Sequence, residues 1–152
     1  EFEALLLEIL SEFQVSIPEL GVKKASIKPL VILTSNNTRE IGDALKRRCL
    51  HLYIPFPDSK LERKIIEARV PKLNVALRKQ LVHFVQGIRD LDLKKLPAIS
   101  ETIDWAKTLI LLNAKELDPK LAKETLNVLL KHQQDIEVVE KEINGLISTA
   151  AG

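Results

Sequence analysis

The sequence has no methionine, one cysteine, one tryptophan and one tyrosine, and neither charge sign is in clear excess. Each shortage excludes something. A lone Cys49 rules out an internal disulfide, and no Cys/His cluster has the spacing of metal ligands. His51, His83 and His132 lie far apart and read as isolated core or surface residues. No apolar run reaches the roughly 18 residues a bilayer span needs, and no signal pattern opens the chain, so a cytoplasmic setting is expected. With 23 Lys and Arg against 21 Asp and Glu, the net charge is only +2. No long basic block accompanies it, which weighs against nucleic acid as a partner class. No nucleophile, base and orienter assemble from the sequence, so a self-contained catalytic domain is not expected. The missing methionine, and a helix that opens at Glu1 without a capping residue, suggest a fragment of a longer chain.

What is present is enough for a real core. In 152 residues, 45% are hydrophobic and 29% charged, the balance of a folded domain or two small ones. Phe2, Leu5, Leu6, Ile9, Leu10 and Phe13 recur at helical spacing, with Glu1, Glu3, Glu8 and Glu12 on other faces. Gln14 to Ile17 and Val22 to Lys28 alternate around Pro18-Glu19-Leu20-Gly21, the pattern of a β-hairpin. Two apolar runs of strand length follow: Leu30 to Leu33 is continuous and aliphatic and reads as a strand buried on both faces, and Leu50 to Ile54 reads as a second interior strand carried by Leu50, Leu52 and Ile54. Between them the sequence predicts a short helix from Arg39 to Arg47, capped by Thr38 and ending in Lys46, Arg47 and Arg48.

Beyond Pro57 strands give way to helices. Asp58 or Ser59 can cap a helix carrying Leu61, Ile65 and Ile66, which Pro71 ends. Leu77 to Leu91 carries a second helical stripe. Ser100-Glu101 opens a third and Asp118-Pro119 a fourth, in the N-cap then N1 proline pattern. Asp135 to Ile147 either continues the fourth or makes a fifth. The fold class expected is α+β by content and mainly helical, with residues 1–56 a partial α/β core and 57–152 a helical bundle.

The order helix, hairpin, apolar strand with Ser35-Asn36, helix, Arg48-Cys49, strand, proline, helical bundle resembles the carboxyl-terminal part of an AAA+ ATPase module. More narrowly, EALLLEILSEFQVSIPELG, LVILTSNNTREIGDALKRRCL and ETIDWAKTLILL resemble the MoxR family, in the branch associated with von Willebrand factor A domain proteins. The resemblance covers nearly the whole chain. It implies that residues 14–28 are the pre-sensor 1 hairpin, that Asn36 is the sensor 1 residue, with Asn37 a neighbouring nucleotide-contact candidate, and that residues 57–152 are the lid. A neutral amide at a strand tip suits sensor 1, because it can hydrogen-bond a γ-phosphate and the attacking water without adding charge. Without the resemblance, Asn36 and Asn37 read as ordinary turn residues.

The resemblance further implies that Arg48 is an arginine finger acting on a neighbouring subunit's ATP, with Arg47 the alternative. A rigid, permanently charged guanidinium suits that work, though a basic helix end also favours the helix dipole and would explain Lys46 and Arg47 by itself. The sensor 2 position falls at Ser100-Glu101-Thr102, so Thr102 stands where the family's arginine would be. Trp105 nearby reads as packing rather than a nucleotide contact. The chain has no G-x-x-x-x-G-K-[ST] phosphate loop and no aliphatic run ending in the Walker B acids. The expectation is therefore that ATP and Mg²⁺ belong to the intact parent protein, and that this chain alone neither binds them tightly nor hydrolyses ATP. The implied partners are further copies in a homo-oligomeric ring and a protein client, such as a von Willebrand factor A domain protein. A reading from a different class is a non-enzymatic helical binding module that uses Lys23, Lys24 and Lys28 on the hairpin to meet nucleic acid or an acidic partner. If the two aliphatic runs are interior strands, their missing partners leave apolar surface exposed, and self-association is expected.

Overall fold

The computed structural model of the chain describes residues 2–35 and 42–151. It is mainly helical, with one two-stranded antiparallel sheet among the described residues. The chain divides into two compact units, Glu1–Ile54 and Pro55–Gly152.

The first unit begins with α1 (Phe2–Glu12), where Leu6, Ile9 and Leu10 are half-buried, as is Glu8, while Leu5, Glu3 and Glu12 are exposed. Phe13 takes a left-handed backbone (φ 51°) that ends the helix and turns the chain into the hairpin. Strands β1 (Gln14–Ile17) and β2 (Gly21–Lys24) pair with Gln14 opposite Lys24 and Ile17 opposite Gly21. Gly21 sits at φ +68°, where any side chain would be strained, which is why the turn carries glycine there. The ladder is shorter than the alternation to Lys28 predicts: after Ala25 N–H donates to Phe13 O (2.8 Å), the chain bends away. Next among the described elements is α2 (Asp43–Lys46), a single turn whose Leu45 is the one buried hydrophobic residue described in this unit. The predicted helix from Arg39 to Arg47 is thus seen only in its last part, since Thr38 to Ile41 lie outside the described residues.

The two aliphatic runs correct the sequence reading. Neither Leu30 to Leu33 nor Leu50 to Ile54 forms a strand, so the described first unit holds no pair of core strands. Leu30 and Ile32 are 91% and 78% exposed, Leu50 and Ile54 103% and 79%. The reason is that strand propensity records how well a side chain fits a pleated, half-buried surface, not an intrinsic backbone preference. A central strand also needs neighbours on both edges for its N–H and C=O groups, and no described segment supplies one.

The second unit is a five-helix assembly with one continuous core. Helix α3 (Ser59–Arg69) starts at Asp58, whose carboxylate accepts from Leu61 N–H (2.7 Å), and stops at Val70 because Pro71 disfavours a helical residue before it. Asn74 caps α4 (Val75–Arg89), accepting from Ala76 and Leu77 N–H. Helix α5 (Ile99–Leu111) begins slightly before the predicted Ser100, with Ala98 at the cap and no side-chain bond there. Asp118 caps α6 (Pro119–Leu129), with Pro119 just inside. The last segment is a separate helix, α7 (Gln133–Ala151), because Leu130 adopts extended backbone after α6. No described helix is long and apolar enough to cross a membrane.

The core is built on Leu81, Phe84, Val85, Trp105, Leu109 and Leu126, all fully buried. Phe84 and Trp105 meet at 5.3 Å between ring centroids, tilted by 39°. The Trp105 indole N–H donates to Thr125 Oγ1 (2.8 Å), whose hydroxyl donates on to Leu121 O (2.7 Å), so the one polar atom of the indole is satisfied inside the core. Asp135, buried in the first turn of α7, accepts from Lys94 and Lys95 N–H (2.8 and 3.2 Å) and fastens the α4–α5 connection to that helix.

Candidate functional site

Within the first unit, the candidates gather around α2. Gly42 N–H donates to Glu3 Oε1 (2.9 Å), tying the start of α2 to α1. At the other end Arg48 donates from Nε to Ser11 Oγ (2.6 Å) and from Nη1 to its own helix at Ala44 O (2.9 Å). These two bonds fix an otherwise exposed guanidinium to two helices of its own unit, and among the described residues its Nη2 has no acceptor. Arg47, beside it, is exposed at the C-cap of α2, where its backbone N–H donates to Asp43 O (3.0 Å) and its side chain makes no described contact. Cys49 is half-buried. Asn36 and Asn37 lie outside the described residues.

The hairpin is fastened to α1 by one carboxylate. Glu8 accepts from Ser16 Oγ (2.6 Å), from Ser16 N–H (3.1 Å) and from Gln14 Nε2 (3.2 Å). The Ser16 hydroxyl, and then its N–H, hold the Glu8 carboxyl below the usual carboxylate range. Between α1 and the hairpin lies an apolar cleft of about 430 Å³ lined by Ile9, Phe13, Val15 and Ile17. The hairpin lysines do not form one patch. Lys23 and Lys24 are consecutive strand residues and so point to opposite faces, while Lys28 folds back over the Phe13 ring at 5.3 Å.

Thr102 stands in a different setting. It is fully buried in the second unit, in a polar cluster centred on Glu62, which is also fully buried. Arg89 meets the Glu62 carboxylate with a two-pronged grip, Nη1 to Oε2 at 2.7 Å and Nη2 to Oε1 at 2.8 Å. Gln86 donates to Glu62 Oε2, and the Thr102 hydroxyl lies 3.2 Å from Oε1 and 3.1 Å from Ala98 O. Arg89 Nε donates to Pro97 O (2.9 Å), and the Phe56 ring covers the guanidinium at 4.7 Å. The cluster ties α3, α4 and α5 together. Sealed and saturated with partners, it is built as a structural joint, and it leaves the Thr102 hydroxyl committed to the protein interior.

Next to Thr102, Glu101 sits in the first turn of α5. Partial burial opposes its charge, but the Ser100 hydroxyl, backbone N–H groups and Lys95 outweigh it and leave the carboxyl below the usual range. The Glu62 and Arg89 joint went unread in the sequence. Its signal is that Glu62 precedes Ile66 by one helical turn and so falls on the buried stripe, where a glutamate demands a partner.

Among the described residues no group of three or more His, Cys, Asp or Glu could hold a metal ion. Among the described residues, Arg48 is held by hydrogen bonds yet exposed, whereas Thr102 is enclosed. No family model, curated protein or solved structure matches the chain.

Proposed function

We propose that the chain is the sensor and arginine-finger part of a MoxR-type AAA+ ATPase module, joined to its helical lid. The observation that supports the reading most is the pair of strand-like aliphatic runs on either side of α2, exposed and unpaired among the described residues. Exposed apolar runs mark surfaces that another element or partner covers, and the reading supplies that cover as neighbouring core strands, which the described residues of the first unit do not contain. A second support is Arg48. An arginine held at two of its nitrogens by its own subunit, with its third unbonded among the described residues, has lost much of its rotamer freedom before any partner arrives.

In the assembled protein, a ring of identical subunits would bring Arg48 of one subunit to the nucleotide of the next, with Asn36 serving its own. Remodelling or maturation of a client protein would follow from ATP hydrolysis. The opposed directions of Lys23 and Lys24 weigh against the alternative of a basic hairpin that binds nucleic acid.

The test is to join the chain to the region encoded immediately upstream and compare ATP hydrolysis by the wild type and Arg48→Ala. Loss of an arginine finger is worth about 10³-fold or more in turnover. Equal rates would remove the finger from Arg48.

A further inference from the structure

A second cleft, of about 450 Å³, lies in the helical unit where the carboxyl ends of α3 and α5 come together. Its floor is apolar: Val70 is buried, Ile110 half-buried, and Pro71 with the 80%-exposed Leu111 forms the walls. Leu112, also exposed, extends the apolar surface beyond Leu111. Its rim is cationic, with Arg69, Lys72 and Lys107 and no lining carboxylate. Lys107 shares its charge with Asp104 at 3.1 Å, whereas Arg69 and Lys72 are exposed and make no ion pair among the described residues.

The two helix ends weaken this field but do not cancel it. Each carries about half a negative charge, against two unpaired whole cations and one shared cation. The cleft is therefore net positive around an apolar floor.

That combination selects among ligand chemistries. Nucleic acid would find cations but no aromatic face on which to stack a base. A bilayer would meet Leu111 and Leu112 but not Val70, which lies in the floor and is reachable only by a side chain that enters the cleft. A peptide helix with aliphatic residues on one face and carboxylates flanking them satisfies both features together. We infer that this cleft docks an amphipathic, acidic segment of a partner protein, with aliphatic anchors entering over Val70 and Ile110 and carboxylates meeting Arg69, Lys72 and Lys107. The inference is independent of the ATPase reading, since the cleft lies wholly within the helical unit.

The experiment uses the full 152-residue chain and fluorescence polarisation. The probes are a panel of fluorescein-labelled synthetic helices with leucines at i, i+3, i+4 and i+7 flanked by glutamates, each matched by a version with lysines for glutamates. The expected result is saturable, salt-weakened binding of acidic peptides and binding about tenfold weaker or worse for their lysine versions. Leu111→Asp and the double variant Arg69→Glu/Lys72→Glu should each weaken the acidic peptide about tenfold. All three positions are exposed, so the thermal midpoint should fall by no more than the few degrees that negative charge at a helix carboxyl end costs, and the double variant should gain affinity for lysine peptides. The inference is overturned if no acidic peptide binds, if the lysine versions bind equally well, or if Leu111→Asp has no effect. Leu111-dependent binding to phosphatidylglycerol vesicles without peptide binding would also overturn it and assign the surface to lipid.

Discussion

Arg89 shows how one residue can hold three helices. Its guanidinium grips Glu62 with both prongs, caps Pro97 O and lies under the Phe56 ring, all with a side chain only 6% exposed. A buried pair of this kind adds little net stability over an apolar pair of the same shape, because desolvation offsets the attraction. Breaking it is another matter, since the Glu62 carboxyl would be left buried without its main partner. Arg89→Ala should therefore cost about 3–5 kcal/mol, a large part of a small domain's total stability. Replacing both residues, as Glu62→Leu/Arg89→Met, should recover most of that loss. Trp105 is the sole tryptophan and lies in this unit's core, so urea unfolding followed by its fluorescence reads the effect directly. A single-variant loss below about 1 kcal/mol, the range of exposed pairs, would show that the joint is not sealed as described.

At the scale of elements, legibility followed local chemistry. The starts of α3 and α6 could be read because Asp58, Asp118 and Pro119 act on their own neighbours in sequence. The stop before Pro71 was equally local. The break between α6 and α7 was not readable, because neither Leu130 nor Lys131 is a glycine or proline, yet Leu130 leaves the helix in extended backbone with its side chain buried. The aliphatic runs were misread for the converse reason: their composition is strand-like, but strand formation depends on neighbours the composition cannot supply. Of the candidate site, Arg48 was legible as a basic residue after a helix, whereas its bond to Ser11, 37 residues earlier, was not.

The hairpin's attachment to α1 carries its own pH dependence. Glu8 has a lowered carboxyl pKa in the folded state, so its contribution is complete above the ordinary value of 4.5 and fades as pH falls through the lowered one. The Ser16 amide resonance should report this, titrating below the ordinary glutamate range and becoming flat in Glu8→Gln. Titration of that amide at the ordinary value would mean that Glu8 does not hold the hairpin.

At the scale of the whole molecule, the two units differ in how much they bury. The helical unit encloses a continuous core from Ile66 to Ile143, while the described first unit buries Leu45 alone among its hydrophobics and exposes Leu30, Ile32, Leu50 and Ile54. Exposed apolar stretches of this kind drive association, so sedimentation of the chain should show concentration-dependent oligomers. Ile32→Asp with Leu50→Asp should reduce them without changing the Trp105 unfolding transition. A monomer at all concentrations would argue that these stretches are covered.

Amide hydrogen exchange at Leu30 to Leu33 and Leu50 to Ile54, compared between the 152-residue chain and the chain joined to its upstream region, tests the central claim most directly. Those amides should exchange rapidly in the chain alone, as fits exposed, unpaired backbone, and become strongly protected when the upstream region supplies neighbouring strands. Rapid exchange in both forms would contradict the claim that these runs are strands of an ATPase core.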